Sequence, residues 1–305
     1  MQLYEVNDYW NIIINKLINS CNKKIKSFIS FLLSSSLFLA FNGFLKTYYS
    51  FLLFGVIIKW DLLLAMFLTT FAVYCINKLT DKEEDAVNSP ERANFVNGNE
   101  KYLGFILVIS YITAIILGLS ESIYAMLVLL FPLCTGIIYS IKLSPRIPRL
   151  KDIFGVKSLI VALNWTIVPM FLPLVSSSKV PLILIISVFC FFFVKTFANT
   201  VLFDIRDIEG DKKSGIKTIP IGIGKSRTKK ILSAFTLSLA PLILLLFING
   251  LPFVIFLTMT LGIINTYWYI RYICSNSETN GTTMQLLIDG EWFFVLAFTF
   301  IINAV

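Results

Sequence analysis

Two acidic stretches carry the residues best suited to chemistry: Asn77-Lys-Leu-Thr-Asp81-Lys-Glu-Glu-Asp85 and Asp204-Ile-Arg-Asp207-Ile-Glu-Gly-Asp211. In each, two aspartates lie four residues apart, about one helical turn, so both carboxylates face the same way. Clustered acids beside a membrane are costly unless a cation sits between them. Oxygen-only donors suit Mg²⁺, which keeps several waters and shares its shell with substrate phosphate. Arg206 and the Lys212-Lys213 pair flank the second stretch. Such cations bind the phosphate oxygens a metal leaves over. A solvated loop would explain one stretch, and Glu83 and Glu84 fit that reading, but matched stretches favour a shared metal–diphosphate site.

Each stretch closes a long apolar run. Of the 305 residues 57% are hydrophobic and only 14% charged, as expected of an all-α polytopic membrane protein. Alternating strands of the β-barrel kind are absent. Nine spans are expected: 28–58 (long or kinked), 62–76, 102–119, 123–139, 156–175, 180–201, 231–248, 252–270 and 286–305. Residues 1–27, ending in Lys23, Lys24 and Lys26, read as an amphipathic interfacial segment, without a signal peptide. Residues 28–305 read as one transmembrane domain of two pseudo-repeated halves, because Asp81 and Asp85 precede Asp207 and Asp211 by a constant interval.

The net charge of +8 has a topological explanation. Among the 26 Lys and Arg, only Lys46, Lys59, Lys179 and Lys195 lie outside the N-terminal segment and the loops after the even-numbered spans. Positive-inside bias puts both acidic stretches at the cytoplasmic face of the cell membrane, with no call for a nucleic-acid partner. With no histidine and no Cys-x-x-Cys pair, zinc, haem and histidine-base chemistry lose their usual ligands. Gly224-Lys225-Ser226 ends like a P-loop, but Ile219 stands where that motif needs its first glycine.

Other polar residues join this face. Tyr139-Ser-Ile-Lys142 closes the fourth span. Lys195 sits inside the sixth, a functional candidate by default or a snorkelling side chain. Asp289 and Glu291 open the ninth, either lining the site or capping a helix, and Asn164 and Trp165 are candidate pocket residues.

These residues resemble the motifs of the UbiA superfamily of intramembrane prenyltransferases. Asn77-x3-Asp81-x3-Asp85 is similar to its first motif and Asp204-x2-Asp207-x3-Asp211 to its second. The run from Arg206 to Asp211, with Gly215, Thr218 and Pro220, is similar to branches making archaeal ether lipids. Tyr139 and Lys142 resemble a tyrosine–lysine element after the fourth helix. The resemblance implies nine helices around a central cavity, a cytoplasmic cap, Mg²⁺, a polyprenyl diphosphate donor and a lipophilic acceptor reached from membrane lipid. It implies metal binding by Asp81, Asp85, Asp207 and Asp211, with Lys142 also at the chemistry. Asn77 and Asp204 would support the metal ligands and join in substrate binding, Arg92, Lys142 and Arg206 would contact diphosphate, and Tyr139 is a substrate-binding candidate, as is Lys195 from its place inside the sixth span. The expected acceptor is geranylgeranylglyceryl phosphate, with an aromatic or quinone precursor, or terpene cyclisation, as rivals. Arg92 is followed by Ala93, where many relatives have proline, in a loop expected to read the acceptor. A repeat-built transporter is the alternative of another class. Its ionisable groups would sit near the bilayer midplane, not at helix ends.

Overall fold

A computed structural model describes residues 23–140, 153–175, 177, 179–275 and 281–304. The described residues are helical throughout, without strands. In chain order the helices are α1 (Lys23–Ser34), α2 (Leu37–Phe54), α3 (Trp60–Thr80), α4 (Lys82–Asn88), α5 (Pro90–Val96), α6 (Glu100–Glu121), α7 (Ile123–Ser140) and α8 (Val156–Leu174). There follow α9 (Leu182–Arg206), α10 (Ile208–Lys213), α11 (Ile219–Ile223), α12 (Lys225–Leu237), α13 (Leu239–Ile248), α14 (Phe253–Ser275), α15 (Gly281–Ile288) and α16 (Glu291–Ala304).

Among the described residues, eight helical segments are long and apolar enough to cross a membrane. The fourth of the nine expected spans is the exception, a shorter apolar helix over Ile123–Gly136. Two spans are bent. Pro241 cannot donate to the Leu237 carbonyl, and the seventh span is divided there into α12 and α13. The ninth breaks at Asp289 and Gly290 into α15 and α16. The first expected span divides at Ser36, whose φ of 74° lies in the left-handed region. Of the amphipathic segment, residues 1–22 lie outside the described residues.

One group of spans, α2, α3, α6, α7 and α8, packs around Phe51, Leu62, Met66, Leu129 and Leu172. A second, α9, α13, α14 and α16, packs around Phe192, Ile243, Met259 and Trp292, and α12 and α15 join α9 and α14 around Leu232, Ile270 and Met284. The groups meet where α8 runs along α9 and where α16 returns to α2. Large apolar side chains such as Phe105, Ile112, Leu182 and Phe294 remain on the outer surface, as lipid contact requires. This is an integral membrane protein.

Candidate active site

Each acidic stretch forms where a membrane helix turns into a short surface helix. Asp81 joins α3 to α4 (φ −107°, ψ 26°), and Asp207 joins α9 to α10 (φ −91°, ψ 8°). The one-turn hydrogen bonding survives both bends. The Asp81 and Asp85 amides donate to the Asn77 and Asp81 carbonyls, each at 2.8 Å. The Asp207 and Asp211 amides donate to the Phe203 and Asp207 carbonyls at 3.0 and 2.9 Å. The carboxylates therefore keep helical spacing while the axis changes direction.

The two short helices touch. α4 packs on α10, and Gly210 lies so close to Asn88 that a Cβ there would overlap the asparagine amide. Charge coupling follows. Burial raises the Asp85 carboxyl above its usual range, the nearby Arg92 opposes this, and Asp81 and Asp207 both add to the rise.

The cations lie among the acids. Arg92 donates to Asp85 at 3.1 Å. Arg206 clamps Asp207 through Nε and Nη2, at 2.7 and 2.9 Å, and its guanidinium lies over Phe203. Lys157, at the start of α8, reaches both Asp211 oxygens at 2.9 Å and Asp204 at 3.2 Å. Ser158 donates a short hydrogen bond to Asp204. Asp211 is only 1% exposed, and burial pushes its carboxyl up to about 6 despite Lys157.

A cavity of about 160 Å³ opens between the walls. Asn77 lines it from the first stretch, Arg92 from α5, Asp204, Arg206 and Asp207 from the second stretch, and Gln285 and Asp289 from the broken ninth span. Of the three carboxylates lining it, Asp204 and Asp207 are clamped by cations, whereas the Asp289 carboxylate makes no hydrogen bond or ion pair among the described residues. A second cavity of about 190 Å³ lies in the cap, and it shares Arg92, Arg206 and Gln285 with the first.

The structure thus brings together Asn77, Asp85, Arg92, Asp204, Arg206, Asp207 and, through Lys157, Asp211. Asp81 sits at the α3–α4 bend and accepts a hydrogen bond from Thr80 at 3.1 Å. Lys195 is not among the cavity residues. It is buried against Glu291, Gly262 and Thr266, with Trp292 and Phe191 nearby. Glu291 therefore answers a membrane-embedded lysine. Asn164 and Trp165 line a separate void of about 40 Å³, where Asn164 accepts from Thr135 and Trp165 donates to Tyr74. Tyr139 closes α7, and Lys142 lies outside the described residues.

Sequence reasoning missed Lys157 as a site residue. The available signal was a lysine in the first turn of a membrane helix, where the helix dipole disfavours a cation. Ser158, Thr200 and Gln285 carried no such signal.

Among the described residues no three carboxylates converge on one point. The donors form two pairs on facing walls instead. That fits an oxygen-preferring dication whose shell is completed by phosphate, and burial of Asp85 and Asp211 favours added positive charge.

The model of the UbiA prenyltransferase family matches residues 27–288. This chain belongs to that family. Digeranylgeranylglyceryl phosphate synthase of Sulfolobus acidocaldarius is 29% identical over 171 residues, a match covering 54% of this chain and 58% of that protein. The synthase of the same name from Thermococcus gammatolerans is 25% identical over 234 residues, covering 75% and 79%. A UbiA homologue from Archaeoglobus fulgidus bound to GPP and Mg²⁺ has the same fold, with a TM-score of 0.66 at 18% identity, over 90% of this chain and 100% of that one. A UbiA homologue from Aeropyrum pernix gives 0.68 at 14%, over 88% and 99%.

Proposed function

We propose that this UbiA family protein moves a prenyl group from a polyprenyl diphosphate, geranylgeranyl diphosphate by preference, to the hydroxyl of geranylgeranylglyceryl phosphate. Contact between α4 and α10, which holds one acidic wall against the other at the end of an apolar bundle, carries this reading. Asp81 and Asp85 on one wall, and Asp207 and Asp211 on the other, would hold Mg²⁺. When bound, the metal supplies positive charge opposite the leaving diphosphate. Positive-inside bias supports a cytoplasmic position for this face, and the paired acidic bends support a division into two pseudo-repeated halves.

The chain's own residues divide the remaining work. Arg92 and Arg206 line the cavity with guanidinium donors that match phosphate oxygens. Lys157 holds Asp204 and Asp211 in place. The apolar walls exclude water as the C1–O bond of the donor breaks. The acceptor oxygen bonds to C1, and Asp289 Oδ takes the hydroxyl proton. Asp289 suits that role because no cation clamps it.

Purified protein with labelled geranylgeranyl diphosphate, Mg²⁺ and geranylgeranylglyceryl phosphate tests the reading. The expected product is the doubly prenylated glyceryl phosphate, lost with EDTA and reduced at least 100-fold in Asp85→Ala and Asp207→Ala. Undiminished turnover in either variant or with EDTA would sink the metal–diphosphate reading. Prenylation of an aromatic acceptor alone would overturn the choice of acceptor.

A further inference from the structure

The cap cavity lies beside the proposed reaction cavity, and its chemistry differs from that of a hydrocarbon pocket. Asn88, Ser89, Thr282 and Gln285 contribute neutral polar groups, Arg92 and Arg206 contribute guanidinium groups, and Glu91 stands in the wall. Glu91 accepts a hydrogen bond from Ser30 at 3.1 Å. Both arginines line both cavities.

Each guanidinium also has donors left over. Arg92 spends only Nη1 on Asp85, which leaves Nε and Nη2 without a partner among the described residues. Arg206 spends Nε and Nη2 on Asp207, which leaves Nη1. A planar fork that serves an acid on one edge presents its other N–H groups elsewhere. Two such forks, shared by adjoining cavities, match two phosphate-bearing ligands lying side by side.

From this we infer that the cap cavity is the subsite for the phosphomonoester of the acceptor, separate from the cavity that takes the donor's diphosphate. The inference rests on the transfer reading above and adds the place where acceptor selectivity is set. The phosphate contacts Arg92 and Arg206 from the cap side. The acceptor's glyceryl hydroxyl then extends past Gln285, which lines both cavities, toward Asp289. A phosphorylated acceptor is thereby distinguished from a neutral aromatic one, which would leave the spare guanidinium donors of the cavity unmatched.

Ser89→Asp is the informative variant. Ser89 is the residue before α5, a position where aspartate is as well tolerated as serine, so the fold is preserved while a negative charge enters the cap cavity. Ser89→Asn is the neutral control. The first measurement is relative kcat/KM for geranylgeranylglyceryl phosphate and its dephosphorylated alcohol. Wild type should prefer the phosphate ester at least tenfold, Ser89→Asn should keep that preference, and Ser89→Asp should lose most of it. Equal use of the two acceptors by wild type, or an unchanged ratio in Ser89→Asp, overturns the inference while leaving prenyl transfer intact. The second measurement is binding of glycerol phosphate by phosphorus NMR line broadening, with the donor site filled by geranylgeranyl thiodiphosphate and Mg²⁺. Broadening in wild type that weakens at least fivefold in Ser89→Asp supports the subsite whichever acceptor the enzyme uses. No broadening in wild type overturns it.

Discussion

Gly210 reports whether contact holds the two acidic walls together. Replacing a helical glycine with alanine should by itself stabilise the protein by about 1 kcal/mol. Against that, a methyl carbon on Gly210 would stand 2.5 Å from Asn88 Cγ. Carbon atoms normally meet at about 3.5–4.0 Å. Asn88 or the whole of α4 must therefore give way by about 1 Å, and overpacking of this kind costs about 1–3 kcal/mol. The net expectation for Gly210→Ala is a loss of about 1 kcal/mol, together with walls pushed apart and slower turnover. In an Asn88→Ala background the obstruction is gone, and the same Gly210→Ala change should stabilise by about 1 kcal/mol. The implied coupling of about 2 kcal/mol falls within the range for residues in direct contact. Thermal unfolding of the four proteins in detergent measures it. An equal rise in melting temperature on adding the alanine in both backgrounds would refute the α4–α10 contact, and the facing-wall geometry with it.

Removing Lys157 should destabilise the protein, because two buried carboxylates then share no cation. Lys157→Met is expected to cost about 2–3 kcal/mol, the lower part of the buried-pair range because the lysine is partly exposed, and detergent melts check this. Lys195 and Glu291 should behave as a pair in the membrane. Lys195→Met alone should cost about 3 kcal/mol and the double change with Glu291→Leu much less, read by the same melts; additive losses would contradict the pairing. The metal should bind less tightly in acid. The Asp211 carboxyl, held near 6, is neutral below that pH, so without metal its contribution favours the fold at low pH and is lost as pH rises through about 6. Mg²⁺ must displace that proton, and the raised Asp85 carboxyl acts in the same direction. The Mg²⁺ concentration that half-stabilises the protein should rise about tenfold from pH 7.5 to 5, and an unchanged midpoint would contradict these assignments.

The spans and the acidic spacing were legible because both are local. An apolar run identifies itself whatever it packs against, and aspartates one turn apart stay so through the bends at Asp81 and Asp207. The bends themselves were not legible, and although a kink in 28–58 was expected, its place at Ser36, which makes α1 a helix of its own, was not. Lys195 shows the limit from the other side. A lysine in a membrane span was a sound functional candidate, but its buried partner is Glu291 on another helix.

By itself, then, the sequence determined that the chain lives in a membrane and carries two matched carboxylate sets at span ends, since hydropathy and helical period depend only on neighbours along the chain. Tertiary structure alone decided which cation meets which acid. Lys157 reaches Asp211 across 54 residues, and Asp289 enters the cavity because the ninth span breaks beneath it. Such partners are chosen by how helices pack and where they bend, and charge pairing across that distance leaves no periodic trace in the sequence.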